Sequence, residues 1–324
     1  MSAFLTSIVE RARLLNKRIV FPEGDDERTR EAAERLARDR VVQPVLVSSN
    51  TQCAPGVSCI DPKSSELMRR YASLLYQRRR AKGMTEHEAE RHAADPLYFA
   101  ALALADGAVD GFVGGASTST GVTVRALFHA VGVAEGHKLV SSFMIQVHPD
   151  PRWGDNGVIL FADPAVVPEP NSTELAEIAI AAAENASRFL NDTPRVAMLS
   201  FSTKGSAKHA KANAVIEAVK IIRARAPWVN VDGELQVDAA LVPHVGASKA
   251  PGSPLAGKAN VLIFPDLNAA NIGYKLAERL GGCQSLGPFL QGLAKPGNDL
   301  SRGCSVDDIY YVAAVTALQS APDA

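Results

Sequence analysis

The chain of 324 residues carries 34 Lys and Arg against 35 Asp and Glu, so its formal net charge at pH 7 is −1. This balance argues against a general nucleic-acid or membrane-surface function, and any anionic ligand must be held by local basic clusters. Hydrophobic residues make up 47% of the chain and charged residues 21%, which is ordinary for a soluble globular enzyme.

The N-terminus and the cysteines favour a cytoplasmic location. The opening segment MSAFLTSIVERARLLNKR has apolar residues at helical spacing and lacks the pattern of a signal peptide. Apolar runs such as FAALALA are too short to span a bilayer. The four cysteines form no CxxC pair, so we expect no disulfide framework. They are Cys53, Cys59, Cys283 and Cys304.

Strand-like and helix-like segments alternate from the first apolar run onward. RIVFPEG ends in a turn, and the charged helix after it has Asp25 or Asp26 available as its cap. A later helix closes at Gly83, and Pro96 interrupts the next one. The predicted elements up to residue 131 are the strands RIVFPEG, QPVLVSS and GAVDGFVGGAS and the helices DDERTREAAERLARD, SSELMRRYASLLYQRRRAKG, TEHEAERHAA and TSTGVTVRALFHAV.

The alternation continues to the C-terminus. The further predicted strands are HKLVSSFMIQV, GVILFAD, RVAMLSF and NVLIFPD, and the further helices are STELAEIAIAAAENASRFL, KANAVIEAVKIIRARAP, IGYKLAERLGG and DDIYYVAAVTALQ. This pattern predicts an α/β fold with mostly parallel sheets flanked by helices. The length exceeds the roughly 250–300 residues of a single core, so two domains are expected. Because no Pro/Gly/Ser linker separates two halves, one domain is predicted to be inserted into the other.

One loop has the composition of a phosphate site. In GGASTSTGVTVR, the run STST delivers four hydroxyls where a Gly-flanked strand ends and a helix begins, and Arg125 follows it. Free backbone N–H groups and the positive end of the helix dipole favour an anion there. A helix cap alone would account for one of the hydroxyls but not for four.

Two basic segments are weaker candidates for anion binding. YQRRRAKGM places four cations at a helix end, where solvated cations are favoured in any case. SFSTKGSAKHAKA carries Lys204, Lys208 and Lys211 in a Ser- and Gly-rich turn after a strand, which suits the phosphates of a polyanion. No GxGxxG follows the first strand and no GxSxG is present, so dinucleotide and serine-hydrolase chemistry are weakly supported.

The segment NDLSRGCSVDD concentrates hydroxyls and charges near the C-terminus. Ser305 stands three residues before Asp308, which predicts a capping box at the start of the last helix. That box does not account for Ser301 and Arg302. An Arg beside a hydroxyl is suited to a phosphoryl or carbonyl oxygen, and an acid on the next turn is suited to act as a base.

Together these motifs resemble the phosphate acetyltransferase (phosphotransacetylase) family, within the phosphate acetyl/butyryltransferases, along nearly the whole chain. The segments that carry the resemblance are RIVFPEGDDERTREAA, KLVSSFM, RVAMLSFSTKGSAK, DGELQVDAALVP, KAPGSPLAGKANVLIFPDLNAANIGYKLAERLGG and GPFLQGLAKPGNDLSRGCSVDDI. The resemblance implies reversible transfer of an acetyl group between coenzyme A and orthophosphate through a ternary complex. It also implies that no covalent acyl-enzyme, metal or further cofactor takes part.

The resemblance further implies an architecture like that of isocitrate and isopropylmalate dehydrogenases, with two α/β domains and a cleft between them. The first domain would comprise residues 1–140 and 289–324, and the inserted second domain residues 141–288, with hinges near Ser141–Ser142 and Gly287–Pro288. The family is commonly homodimeric. The expected partners are acetyl-CoA or CoA and phosphate or acetyl phosphate, and neither nucleic acid nor membrane.

Carried onto this sequence, the resemblance makes Asp308 the general base for the CoA thiol. A thiol with a pKa of about 8.5 is only a few per cent thiolate at about pH 7, a deficit worth roughly 2 kcal/mol that a positioned carboxylate can offset. Ser301 and Arg302 would stabilise the developing oxyanion and the phosphoryl group. The predicted substrate-binding residues are Arg79, Arg125, Arg279 and Thr123.

Two departures from the family leave the acyl preference open. Val122 stands where the family often carries an acidic residue, and Ala126 follows the Arg where Pro is common. A phosphate butyryl- or propionyltransferase and a non-catalytic acyl-CoA-binding relative therefore remain alternatives. An NAD-dependent decarboxylating dehydrogenase would need a metal-binding carboxylate set.

Overall fold

The computed structural model describes residues 2–255 and 257–321, and the chain divides into two compact units. The first unit comprises Met1–Glu135 and Leu293–Ala324, and the second Gly136–Gly292. These bounds differ by a few residues from the expected 1–140 with 289–324 and 141–288. The difference arises because Ser141–Ser142 and Gly287–Pro288, the expected hinges, lie inside two strands of the second unit that pair with each other.

The first unit contains a five-stranded sheet in the order β11-β4-β1-β2-β3, and every neighbouring pair in it is parallel. Its strands are β1 (Arg18–Phe21), β2 (Gln43–Val47), β3 (Ser58–Ile60), β4 (Gly111–Gly114) and β11 (Gly297–Asp299). Its helices are α1 (Ala3–Leu15), α2 (Glu27–Arg38), α3 (Leu67–Arg79), α4 (Glu86–Ala93), α5 (Pro96–Asp106), α6 (Thr120–Ala130) and α12 (Val306–Gln319).

Local sequence explains where the helices of this unit begin and which faces they bury. Asp26 caps α2, whose buried residues Thr29, Ala32, Ala33 and Leu36 follow helical spacing. Pro96 is the first residue of α5 rather than an interruption, and the Asp95 carboxylate accepts the next two backbone N–H groups. Helices α5 and α12 are buried along almost their whole length, and both pack against β4.

The second unit contains a six-stranded sheet in the order β10-β5-β6-β9-β7-β8. Strands β6, β9, β7 and β8 run parallel, whereas β5 is antiparallel to both of its neighbours. The strands are β5 (Ser141–Val147), β6 (Val158–Ala162), β7 (Arg195–Leu199), β8 (Asn230–Leu235), β9 (Val261–Ile263) and β10 (Gln284–Gln291). The helices are α7 (Ser172–Phe189), α8 (Ala210–Arg225), α9 (Val237–Leu241), α10 (Pro243–Lys249) and α11 (Leu267–Arg279). The predicted class, mostly parallel sheets flanked by helices, is confirmed.

Aromatic side chains hold the core of the second unit. Phe143 of β5 lies 5.8 Å from Phe189 of α7 and 5.3 Å from Phe289 of β10, measured between ring centroids. All three side chains are fully buried. Pairs of this kind add about 0.5–1.5 kcal/mol beyond the apolar area that they bury.

The structure corrects the expectation drawn from the cysteines. A disulfide joins Cys53 and Cys59, whose Cα atoms are 6.2 Å apart. The chain reverses between them in a turn in which the Val57 N–H donates to the Ala54 carbonyl, so residues six apart in sequence face each other. Between residues 2 and 321, with residue 256 excepted, no helix has both the length and the apolar content needed to cross a bilayer.

Candidate active site

The candidate site lies at one edge of the first unit's sheet. Strands β11, β4 and β1 are adjacent and parallel, so the loops after them all leave the same edge. In open parallel sheets this carboxyl edge is where ligands bind. The three loops are residues 300–305, 115–119 and 22–26.

The loop after β11 presents Ser301 and Arg302 as exposed side chains and ends in the predicted capping box. The Ser305 N–H and O–H both donate to Asp308 Oδ2 at 2.8 Å, and the Asp308 N–H donates to Ser305 Oγ at 3.1 Å. The capping box is thereby confirmed. Asp308 remains exposed, and the cap uses its Oδ2, so the same carboxylate can serve the helix and still face solvent.

The neighbouring acid, Asp307, is engaged elsewhere. Its Oδ1 pairs with the guanidinium of Arg35, which also lies over the Tyr310 ring at 4.2 Å from the centroid. The hydrogen bond that Arg35 donates to Asp307 is the main cause of a raised Arg35 pKa. The two adjacent carboxylates therefore differ: Asp307 is part of an ion pair, whereas Asp308 has no ion-pair partner among the described residues.

Arg28 fixes the loop after β11, although it was not among the residues selected from sequence. Its Nη1 donates to the Arg302 carbonyl at 2.9 Å and to the Cys304 carbonyl at 3.0 Å. Its Nη2 donates to the Ala116 carbonyl at 2.8 Å, in the loop after β4, and to Asp26 Oδ2, also at 2.8 Å. A single half-buried guanidinium thus ties all three site loops together.

Three amides of the loop after β4 are already occupied by a carboxylate of the protein itself, which the sequence did not indicate. The Glu23 carboxylate accepts the N–H groups of Ala116, Ser117 and Thr118 at 2.6, 2.9 and 2.7 Å, together with the Ser117 hydroxyl at 3.1 Å. These donors point towards an anion, but the anion is the carboxylate of Glu23. Glu23 belongs to the loop after β1, the strand beside β4.

Arg79 and Arg125 act on one aromatic pair. The Tyr98 hydroxyl lies 3.0 Å from His129 Nδ1. Burial lowers the His129 pKa, and the charges of Arg79 and Arg125 lower it further. Burial raises the Tyr98 pKa, and the same two arginines oppose that rise. These shared effects place the two guanidinium groups around one patch of the first unit.

In the basic run at the end of α3, one arginine bonds the protein backbone and another is exposed to solvent. Arg78 donates to the carbonyls of Ala130 and Val131 at the end of α6, with the second bond at 3.2 Å. Arg79 is half-buried and Arg80 is exposed. The chain then leaves at Gly83 with φ 91°, as predicted from the glycine.

Thr123 and Asp299 lie beneath the first turn of α6. Thr123 is fully buried, and its hydroxyl donates to the Ser119 carbonyl at 3.4 Å. Asp299, the last residue of β11, is 4% exposed. Burial raises its pKa to about 6, opposed by the hydroxyls of Thr120 and Thr123 and reinforced by the charge of Glu23. Asp299 was not among the residues selected from sequence.

The remaining candidates lie in the second unit. Arg279 is exposed at the end of α11 and is 3.7 Å from Glu278. In SFSTKGSAKHAKA, Lys204 pairs with the buried Asp232 at 2.5 Å. The buried Glu234 accepts the Ser202 hydroxyl at 2.9 Å and the Gly205 N–H at 2.7 Å. The amide and hydroxyl donors of this turn therefore point to a carboxylate of the protein itself, as those of the loop after β4 point to Glu23.

Within the described residues, no group of three or more His, Cys, Asp or Glu is placed to hold a metal ion.

Comparison with known proteins identifies the family. The family model described as phosphate acetyl/butaryl transferase matches residues 3–317. A phosphate acetyltransferase from Thermoanaerobacterium thermosaccharolyticum is 46% identical over 326 residues, covering 98% of this chain and 99% of that protein. A solved phosphotransacetylase from Streptococcus pyogenes superposes with a TM-score of 0.91 at 38% identity, covering 99% of each chain.

A more distant structure shows the fold alone. The 4-hydroxythreonine-4-phosphate dehydrogenase from Klebsiella pneumoniae matches with a TM-score of 0.53 at 11% identity, covering 94% of this chain and 100% of that one. The expected likeness to a dehydrogenase fold is therefore found. On the full-length match of the family model and the high identity of its relatives, this chain belongs to the phosphate acetyl/butaryl transferase family.

Proposed function

We propose that the protein is an acyltransferase that moves an acetyl group reversibly between coenzyme A and orthophosphate. The observation that carries the proposal is the loop after β11, which presents Ser301, Arg302 and Asp308 at the carboxyl edge of a parallel sheet. Relatives that align with nearly all of this chain at more than 40% identity are named phosphate acetyltransferases. Fold and motif thus support the same chemistry.

In the proposed mechanism, Asp308 takes the proton of the CoA thiol. Its exposed position leaves room for a substrate group, and its hydrogen bonds from Ser305 fix the carboxylate before substrate arrives. The thiolate attacks the carbonyl carbon of acetyl phosphate, the C–O bond to phosphate breaks, and phosphate leaves. In the reverse direction, the protonated Asp308 returns its proton to the departing thiolate.

Arg302 and Ser301 are assigned to the charge that develops on oxygen during this step. A guanidinium holds phosphoryl oxygens through paired hydrogen bonds, and a hydroxyl donates to a tetrahedral oxyanion. Arg28 holds the backbone of Arg302, so the chain that carries these donors is fixed before the reaction begins. Preorganisation of this kind is worth about 3–4 kcal/mol for a single oxyanion donor in other enzymes.

The other predicted binding residues are assigned to the anionic parts of the substrates. Arg79 and Arg125 act on the same Tyr98–His129 pair and would hold negatively charged oxygens together. Thr123 is assigned to phosphate and would have to turn its buried hydroxyl away from Ser119 to reach it. Arg279 is assigned to CoA or phosphate. No metal or cofactor beyond the CoA substrate is part of this proposal, and the location is proposed to be cytoplasmic.

A thiol-release assay tests the function directly. We expect the purified protein to release free CoA from acetyl-CoA when phosphate is present and not when it is omitted, without added metal. Acetyl-CoA, propionyl-CoA and butyryl-CoA compared at equal concentrations will define the acyl preference. A protein that binds acetyl-CoA but releases no thiol with any of the three would be a non-catalytic relative instead.

We also propose a homodimer, supported by an apolar stripe on α11. Ile272, Leu276 and Leu280 recur at helical spacing and are 58, 51 and 82% exposed. Apolar residues grouped on one helix face commonly mark a protein interface. We expect Leu276→Glu to shift the protein from dimer to monomer in sedimentation velocity. Leu14→Glu, at an apolar residue 86% exposed on α1, is the control and should leave the dimer intact.

A further inference from the structure

Asp299 is a buried acid that the proposed mechanism does not use. Its Oδ1 is shielded from solvent and has no hydrogen-bond partner among the described residues. A buried oxygen without a partner costs about 1–3 kcal/mol, and more when the group is charged. Groups held at such a cost are enriched at functional sites.

The surroundings of Asp299 connect it to the site loops. Gly115, at φ 101°, packs so closely that a Cβ there would collide with Asp299 Oδ1, so the loop after β4 lies directly on this carboxyl. The Leu300 N–H donates to the Gly114 carbonyl at 2.6 Å, which holds the start of the Ser301–Arg302 loop against the end of β4. The Thr120 and Thr123 hydroxyls approach from α6.

Burial is the main cause of the raised Asp299 pKa, and one further acid adds to it. Glu23, which accepts the amide hydrogen bonds of the loop after β4, carries a like charge and raises the Asp299 pKa. The hydroxyls of Thr120 and Thr123, on α6, lower it. The edge of the sheet thus already carries two carboxylates beside the position proposed for phosphate. A third negative charge arriving there makes the ionised form of a buried acid less favourable.

We propose that Asp299 is a positioning residue that takes up a proton when an oxyanion binds at the first turn of α6, and that this neutralisation allows the anion to settle there. The proposal rests on the proposed function, because phosphate is the anion in question. A protonated carboxyl removes a buried charge and gains a donor for the neighbouring hydroxyls. By linkage, anion binding and protonation of Asp299 favour each other.

The pH dependence has a definite sign. Because the pKa of Asp299 lies near 6 in the fold, the unbound protein at neutral pH carries this group mainly ionised. Binding then requires a proton, which becomes scarcer as the pH rises. We expect the KM for phosphate of the wild type, divided by that of Asp299→Asn, to rise about tenfold between about pH 6 and about pH 7.5. The ionisation of phosphate itself cancels in this ratio.

Three measurements test the proposal. Asp110→Asn is the matched control, because Asp110 pairs with Lys17 elsewhere in the unit. The KM for phosphate of the wild type, divided by that of Asp110→Asn, should stay constant with pH. Infrared difference spectra of the wild type at about pH 7 should gain a protonated carboxyl band when inorganic phosphate is added. Asp299→Asn should melt a few degrees higher than the wild type at about pH 8 and lose this advantage as the pH falls to about 3, where Asp299 is mainly protonated in the folded and the unfolded chain.

The outcomes separate this inference from the proposed function. A wild type that transfers acetyl groups but shows a constant KM ratio and no new carboxyl band would overturn the role of Asp299 alone. A wild type without any transfer activity would overturn the proposed function. Should Asp299→Asn fold poorly, the infrared measurement on the wild type still decides the matter.

Discussion

Asp308→Asn is expected to lower kcat for acetyl transfer by about two orders of magnitude or more while the protein stays folded. The amide keeps the oxygen that accepts the Ser305 N–H and O–H, so most of the helix cap survives. What it loses is the ability to take a proton from the CoA thiol. Steady-state kinetics with CoA and acetyl phosphate, with circular dichroism to confirm folding, will measure the effect.

Two control variants separate catalysis from capping. Asp307→Asn changes the adjacent acid on the same exposed turn, which pairs with Arg35, and should leave kcat within about threefold. Ser305→Ala removes the reciprocal partner in the capping box and should cost about 1 kcal/mol of stability with a smaller loss of kcat. Equal losses of kcat in Asp308→Asn and Asp307→Asn would remove Asp308 from the role of base.

Arg28→Ala is expected to reduce kcat by about ten- to a hundredfold and to lower stability by about 2–3 kcal/mol. The side chain donates to the carbonyls of Arg302, Cys304 and Ala116 and pairs with Asp26, whose pKa it lowers. Without it, the loop that carries Ser301 and Arg302 loses its tie to the loop after β4. Misplacement of reacting groups by about 1 Å is enough for a loss of this size.

Arg30→Ala is the matched control for this experiment. Arg30 lies on the same helix and also bonds a side chain and a carbonyl, Ser48 Oγ at 2.8 Å and the Asn50 carbonyl at 3.2 Å. Its ion pair with Asp25 at 3.8 Å reaches the loop after β1 but not the loop that carries Ser301 and Arg302. It should lose stability with little change in kcat. Urea unfolding and kinetics on both variants will distinguish the two positions. If Arg28→Ala unfolds more easily yet turns over normally when folded, Arg28 is a stabilising residue and not a positioning one.

Much of the local structure could be predicted from sequence because its causes are local. The caps at Asp26 and Ser305 depend on residues two or three positions away. The segment after α3 ends at Gly83 because this glycine adopts the left-handed conformation. The α/β class followed from alternating apolar runs and amphipathic segments, and the structure confirms it.

Short or polar strands could not be predicted in the same way. β11 consists of Gly297, Asn298 and Asp299, which have no strand propensity and are extended because they pair with β4. The antiparallel edge of the second sheet also escaped prediction, since β10 contains Gly287 and Pro288 at an irregularity in its pairing with β5. Both outcomes depend on a partner strand far away in the chain.

The sequence by itself determined the chemical groups of the candidate site: Ser301, Arg302 and Asp308 stand together in one short segment, within a chain that matches its family model over residues 3–317. Only the tertiary structure decided what surrounds them. Arg28 reaches the Arg302 carbonyl across 274 positions, and Glu23 reaches the amides of 116–118 across more than 90. The physical reason is that a backbone donor or a buried carboxyl takes its partner from whichever strand lies beside it, and strand order is a property of the folded sheet.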